Sequence, residues 1–148
     1  MFKIYLAGYI SGNAIEECSE WRNYLIEIYR KNKDIKFINP LAGHDTKSIS
    51  LNGLTSDIPN KGIIYKDYNS VINSDLIIVN LDTFGEDRPL IGTIAELAWA
   101  WEKKIPVIAF GGKNYYYKHP FLEEFITIYE PSLNIILDNG YIEYFIKR

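Results

Sequence analysis

Apolar residues in this chain fall into short dense runs, separated by stretches where they recur every three or four positions. Lys3-Ile4-Tyr5-Leu6-Ala7-Gly8 predicts a first strand, closed by a glycine. From Glu16 to Asn32 the spacing is helical, with Trp21, Leu25 and Ile28 along one face. Ile35-Lys36-Phe37-Ile38 predicts a second strand, stopped by Asn39-Pro40. A helix follows from Gly62 to Asn73, then a strand from Asp75 to Leu81, a polar loop from Asp82 to Leu90 and a helix starting at Thr93. Pro106 to Phe110 reads as strand four, closed by Gly111-Gly112. A tyrosine-rich loop, Asn114 to Lys118, leads to a helix from Pro120 to Tyr129, a fifth strand from Leu133 to Leu137 and a closing helix from Tyr141 to Lys147. Strands alternating with helices imply an α/β three-layer sandwich around a five-stranded parallel sheet with right-handed crossovers. The stretch from Ala42 to Lys61 has no periodicity and is too long for a routine connection, which makes it a candidate binding loop or lid.

Composition narrows the functional classes. A chain of 148 residues fits one domain, spanning 1–148. A net charge of −3 argues against a general nucleic-acid binder, which would carry a basic face. One cysteine, Cys18, excludes an internal disulfide framework and a cysteine-built metal site, and two histidines give no histidine-rich one. No apolar run has membrane-spanning length. The chain enters its first strand without a basic leader, so a cytoplasmic location is expected and no membrane partner. The 12 tyrosines suit ligand pockets and subunit interfaces, although the codon bias of an AT-rich genome would also supply them. Tyr115-Tyr116-Tyr117, followed by His119-Pro120-Phe121, reads either as a homo-oligomer interface within Tyr115 to Glu124 or as a loop lying over its own core.

Candidate chemistry lies at Gly92-Thr93-Ile94-Ala95-Glu96, where a strand, a polar loop and a glycine-led helix start follow one another. One reading is a capping box, with Thr93 as the cap and Glu96 returning to it. The other is a reactive carboxylate beside helix-terminal amides. Asp67 falls within the helical stripe Ile63, Ile64, Asp67, Tyr68, Val71 and Ile72. A carboxylate facing a core is costly unless it is paired, protonated or open to a cavity, and a shifted pKa there suits proton transfer. The alternative is a stripe edge or a structural hydrogen bond. Tyr5 stands just before the carboxyl end of strand one, where ligands bind in open parallel sheets. In a flavodoxin-like strand order it converges with Glu96; taken alone it reads as a core residue.

These segments resemble the nucleoside 2-deoxyribosyltransferase family and the related nucleotide N-glycoside hydrolases. The resemblance spans most of the chain. It is carried by Ile4-Tyr5-Leu6-Ala7-Gly8, by Phe37-Ile38-Asn39-Pro40-Leu41, by Asp67 eight residues before Asp75, and most strongly by Gly92-Thr93-Ile94-Ala95-Glu96-Leu97-Ala98 with Lys104-Ile105-Pro106-Val107. It implies a flavodoxin-like (Rossmann-like) fold, with Glu96 as nucleophile, Tyr5 orienting it and Asp67 serving the base and its protonation. Gly8, Asp87, Arg88, Gly92 and Thr93 become candidates for substrate contact. The implied reaction cleaves the N-glycosidic bond of a 2′-deoxynucleoside through a covalent glutamyl-deoxyribose ester and passes the sugar to an acceptor base. It resembles a retaining glycosidase and needs neither metal nor organic cofactor. The implied partners are a nucleoside and a nucleobase, and a neighbouring subunit that completes the pocket.

Three positions depart from the family pattern. Leu90 stands where the family has an aspartate or serine at the sugar's 5′ end, so Asp87 or Arg88 is left to substitute. The first loop, Gly8-Tyr9-Ile10-Ser11-Gly12-Asn13, lacks the arginine of phosphate-specific hydrolases, which leans the reading toward an unphosphorylated nucleoside. Lys118-His119-Pro120-Phe121-Leu122 lacks the asparagine that a neighbouring subunit supplies in the transferases. Two alternatives stay open: a nucleoside or nucleotide N-glycoside hydrolase, and a non-catalytic nucleotide-binding module on the same fold. A binding module needs neither Glu96 nor Asp67. A receiver-type signalling domain would need an acidic cluster after strand one, which Leu6-Ala7-Gly8-Tyr9 lacks.

Overall fold

The computed structural model describes residues 1–41, 49–50, 53–54 and 59–147. Along the chain run β1 (Phe2–Gly8), a 3-10 turn (Gly12–Ala14), α1 (Ile15–Ile28), β2 (Ile35–Ile38), the two-residue strands β3 (Ile49–Ser50) and β4 (Gly53–Leu54), α2 (Asn60–Ile72) and β5 (Leu76–Asn80). There follow α3 (Ile91–Glu102), β6 (Val107–Phe110), α4 (Asn114–Tyr117), α5 (Pro120–Phe125), β7 (Ile128–Glu130), α6 (Leu133–Asp138) and α7 (Tyr141–Ile146). Five strands pair in parallel in the order β2-β1-β5-β6-β7. Counted within that sheet the order is 2-1-3-4-5, the flavodoxin-like arrangement expected from the sequence. Strand order reverses between β1 and β5, so a crevice opens beyond their carboxyl ends.

Alternation along the strands sorts their side chains into two cores. Ile4 and Leu6 of β1, with Ile78 and Ile108, are covered by Trp21 and Leu25 of α1 and by Leu133, Ile136 and Ile142 of α6 and α7. Tyr5 and Ala7 of β1, with Ile77, Val79, Val107 and Ala109, are covered by Val71 of α2, Leu97 and Ala100 of α3 and Leu122 of α5. Covering both faces explains why β5 is buried at all five positions and reads as a continuous apolar run rather than an alternating one.

The structure corrects several boundaries, among them the helix expected from Pro120 to Tyr129, which stops at Phe125, and the loop expected at Asn114 to Lys118, which holds α4. The fifth strand is Ile128–Glu130, whereas Leu133 to Leu137 lies in α6. Periodicity cannot separate a short buried strand from a short helix; the Ser132 hydroxyl decides it by accepting from Ile135 N at 3.3 Å, a helix N-cap. Helix α1 ends at Ile28, which is 46% exposed rather than on the buried face. Helix α2 begins at Asn60 and α3 at Ile91, each two residues before the sequence reading. The earlier start of α3 removes the capping box: Leu90 is the N-cap, Ile94 N bonds Leu90 O at 2.9 Å, and Thr93 lies inside the helix. Of the Ala42 to Lys61 stretch, β3 and β4 pair antiparallel and α2 begins within it; the lid expected there otherwise lies outside the described residues.

Candidate active site

A cavity of about 620 Å³ occupies the crevice at the ends of β1 and β5. Tyr5 and Gly8 line it from β1, Ile63 and Asp67 from α2, and Glu96 and Trp99 from α3. Tyr5 points there because odd positions of β1 face the α2–α3 layer, and Glu96 because it sits one turn before Ala100 on the inner face of α3. Asp67 joins them because Ile63, Asp67 and Val71 repeat every four residues along α2. The Tyr5 hydroxyl donates to Glu96 Oε2.

Glu96 keeps some surface through the cavity, yet its setting is apolar. Burial is the largest influence and pushes its pKa up to about 8. The Tyr5 hydrogen bond pulls it back, the Asp67 charge pushes the same way as burial, and Arg22 pulls back again. Tyr5 is raised well above the ordinary phenol value, first by its own burial and then by Glu96 and Asp67. It therefore stays a donor at any working pH.

Arg22, on α1, is fully buried. Its Nε donates to Leu6 O at 3.3 Å, Nη1 to Cys18 O at 2.6 Å and Nη2 to Gly8 O at 3.3 Å, and its guanidinium lies 4.7 Å from the Trp21 ring centre. Burial lowers its pKa to about 10, so it remains a cation at neutral pH. Carbonyls rather than a carboxylate satisfy it, which leaves its charge to act across the end of β1 on Tyr5 and Glu96. Gly8 makes room for this: a Cβ there would stand 3.1 Å from Asn80 O and 3.4 Å from Arg22 Nη2.

A second polar cluster stands where the β5–α3 loop meets the end of β1. The Ser11 hydroxyl donates to Glu86 Oε1 at 3.0 Å. Arg88 Nη2 donates to Ile10 O at 2.6 Å, and the guanidinium lies 4.6 Å from the Tyr9 ring centre. Tyr9 and Arg88 line the cavity. Glu86 is held below the usual carboxylate range, first by the Tyr9 hydroxyl, against some burial, and then by Ser11, Arg88 and Asn13.

Of the residues singled out in the sequence, the structure brings Tyr5, Gly8, Asp67, Arg88, Gly92, Thr93 and Glu96 to one cavity. Asp87 is exposed and does not line it. Leu90 lines the cavity, and its N–H donates to the Tyr116 hydroxyl at 3.3 Å. The Tyr115 to Glu124 segment divides: Tyr116 and Leu122 enter the core, while Tyr115 and Phe121 are 57% and 68% exposed. Sequence reasoning missed Arg22, Tyr9 and Glu86. Arg22 carried the same signal as Asp67, a charge beside the buried Trp21 and Leu25 of its helix. Glu86 carried none, since a carboxylate in a polar loop looks solvated. Among the described residues, no three His, Cys, Asp or Glu side chains converge to hold a metal ion, and no helix is long and apolar enough to cross a membrane.

No protein-family model matches the chain, and no curated protein sequence matches it. Solved structures do. A 2-desoxiribosyltransferase from Leishmania mexicana is 21% identical with a TM-score of 0.53; the match covers 74% of this chain and 64% of that enzyme, so the chain spans less than two thirds of its length. A conserved protein from Enterococcus faecalis V583 is 22% identical over 97% of this chain and 87% of its own, with a TM-score of 0.53. The CMP N-glycosidase BcmB of Clostridium botulinum is 15% identical over 96% of this chain and 98% of its own, with a TM-score of 0.57. The resemblance first visible in short sequence segments is thus matched by one of architecture, and the chain has the flavodoxin-like fold that a 2-desoxiribosyltransferase and a CMP N-glycosidase also adopt.

Proposed function

We propose that this chain cleaves the N-glycosidic bond of 2′-deoxynucleosides and transfers the deoxyribosyl group to an acceptor base. The observation that carries this reading is the Glu96 carboxylate, bonded by Tyr5 on the cavity wall with Asp67 lining the same cavity from α2. In the proposed reaction Glu96 attacks the anomeric carbon, Asp67 delivers a proton to the departing base, and a covalent glutamyl-deoxyribose ester forms. An incoming base then attacks that carbon, gives its ring N–H proton to Asp67 and releases the Glu96 carboxylate. Tyr5 steers the carboxylate and withdraws part of its charge until attack. Gly8, Arg88, Gly92 and Thr93 are the proposed substrate contacts, and no cofactor enters any step.

The likeness to the CMP N-glycosidase, over 98% of that enzyme, supports a second reading in which water takes the place of the acceptor base. Incubation with deoxynucleosides, with and without a free base, followed by chromatography, separates the two. A new nucleoside supports transfer, and free sugar alone supports hydrolysis. Binding without either product would leave a nucleotide-binding module and sink both enzymatic readings. We also propose a homo-oligomer in which the exposed rings of Tyr115 and Phe121 form part of the interface. A monomer by light scattering, with activity per chain unchanged on dilution, would refute that.

A further inference from the structure

We propose that Trp99 holds the base of the substrate: its indole forms the cavity wall at the seam between α2 and α3, and a planar heteroaromatic ring lies against it. This rests on the reading of the cavity as a nucleoside site. Gly92, Glu96 and Trp99 line the cavity from α3. Their spacing of four and three residues puts them on one face of the helix, so Trp99 stands one turn beyond Glu96, on the side away from the helix start. Asp67 lines the same cavity from α2. Tyr68, the next residue along α2, meets the Trp99 ring edge to face, with ring centres 5.3 Å apart and planes at 89°. Trp99 is therefore packed against the chain neighbour of the group assigned to protonate the base.

Among the described residues, three aromatic rings line the cavity, and two of them are already engaged. Tyr5 is buried and gives its hydroxyl to Glu96. Tyr9 is buried too; the Arg88 guanidinium lies 4.6 Å from its ring centre, and Phe84 packs with its ring centre at 6.5 Å. Trp99 is half-buried. The contact with Tyr68 fixes the plane of the indole, and an edge-to-face pair occupies at most one of its faces, whichever ring supplies the edge. Aromatic surface thus remains at the cavity wall, and every base has a π face to match it. The sugar has none. The contact therefore sorts the two halves of a nucleoside, with the base toward the α2–α3 seam, the sugar toward the start of α3 and the anomeric carbon between them at Glu96.

Tryptophan fluorescence and calorimetry test this without requiring turnover. Of the three tryptophans, Trp21 is buried in the opposite core, and Trp101 does not line the cavity and donates its indole N–H to Glu124. A quench on binding therefore reports Trp99. Titration with 2′-deoxyadenosine and with 2′-deoxycytidine, one purine and one pyrimidine, should quench the fluorescence with at least one of them. The quench should vanish in Trp99→Phe, while that variant, which keeps a π face, binds within about threefold of the parent by calorimetry. Trp99→Leu keeps an apolar side chain without a π face and should weaken binding by about tenfold or more. Circular dichroism confirms folding, and the Trp99→Phe result decides alone if Trp99→Leu folds poorly. Binding by calorimetry without a quench, a quench that persists in Trp99→Phe, or a folded Trp99→Leu that binds as tightly as the parent overturns the inference and leaves the nucleoside reading intact. Binding of neither nucleoside to the parent protein overturns both.

Discussion

Two tyrosine–glutamate–arginine trios meet at one cavity, and they are tuned in opposite directions. On one side, Tyr5 and Glu96 lie against the α2–α3 core with the buried Arg22 across the end of β1, and Glu96 is pushed up to about 8. On the other, Tyr9, Glu86 and Arg88 sit in the β5–α3 loop and its neighbours, and Glu86 is held below the ordinary range. Residue type does not distinguish them. What differs is which influence is largest: burial at Glu96, hydrogen bonding at Glu86. One carboxyl group holds its proton more tightly than usual, the other less. The same three residue types thus take opposite electrostatic settings at the two walls.

The sharpest break of this comparison is to remove each carboxylate in turn. Glu96→Ala should abolish turnover, by about 10⁴-fold or more, while Glu86→Ala should leave nucleoside turnover within about tenfold. Near-equal losses would erase the distinction, and full activity in Glu96→Ala would sink the nucleophile assignment. Mass spectrometry that locates a sugar adduct on Glu96 is independent support. Asp67→Asn comes next. Loss of a positioned proton donor should cost about 10²- to 10⁴-fold in rate, most for bases that must be protonated to leave. Because Asp67 raises the Glu96 pKa, the acidic limb of the pH–rate profile should also move down. A rate loss with the limb unmoved would mean that the two carboxylates do not sense one another.

Smaller effects refine the contrast. Tyr5→Phe removes the bond that lowers the Glu96 pKa, so the acidic limb should move up and the rate at neutral pH fall by about tenfold. Tyr9→Phe should leave that limb in place, since Tyr9 acts on Glu86. A matching shift in both variants would show the trios to be one coupled network. The least effect concerns stability. Folded Glu96 holds its proton up to about pH 8, and the unfolded chain releases it near pH ~4. The folded protein therefore binds the extra proton between those values, so this group makes stability fall as pH rises through that window. Denaturant titrations across the window should show that fall flattened in Glu96→Gln. An unchanged slope would place the perturbed carboxyl elsewhere.

The legibility of the two trios in sequence differed for a physical reason. Asp67 was visible because a charge inside a helical apolar stripe is costly and therefore conspicuous. Arg22 breaks the apolar stripe of α1 in the same way, beside the large ring of Trp21. Thr93 and Glu96 were spaced as a capping box, and only the helix start at Ile91 excluded that reading. Glu86 and Arg88 belong to a loop whose pattern says no more than polar, and Asp87 between them looked equally eligible. Loop backbone alone decides which of three consecutive charged residues turns inward.

The sequence by itself determined the layer order, most of the elements and the exposure of Asp67 to the cost of burial, because periodicity and charge are local properties of the chain. The tertiary structure decided the fifth strand, where Ile128–Glu130 took the edge of the sheet and Leu133–Asp138 was capped into a helix. It also decided the electrostatics. Whether a glutamate is pushed up or held down depends on groups 91 residues away, as for Tyr5 and Glu96, or 75 residues away, as for Ser11 and Glu86. Those distances along the chain are closed only when the sheet brings the end of β1 beside β5.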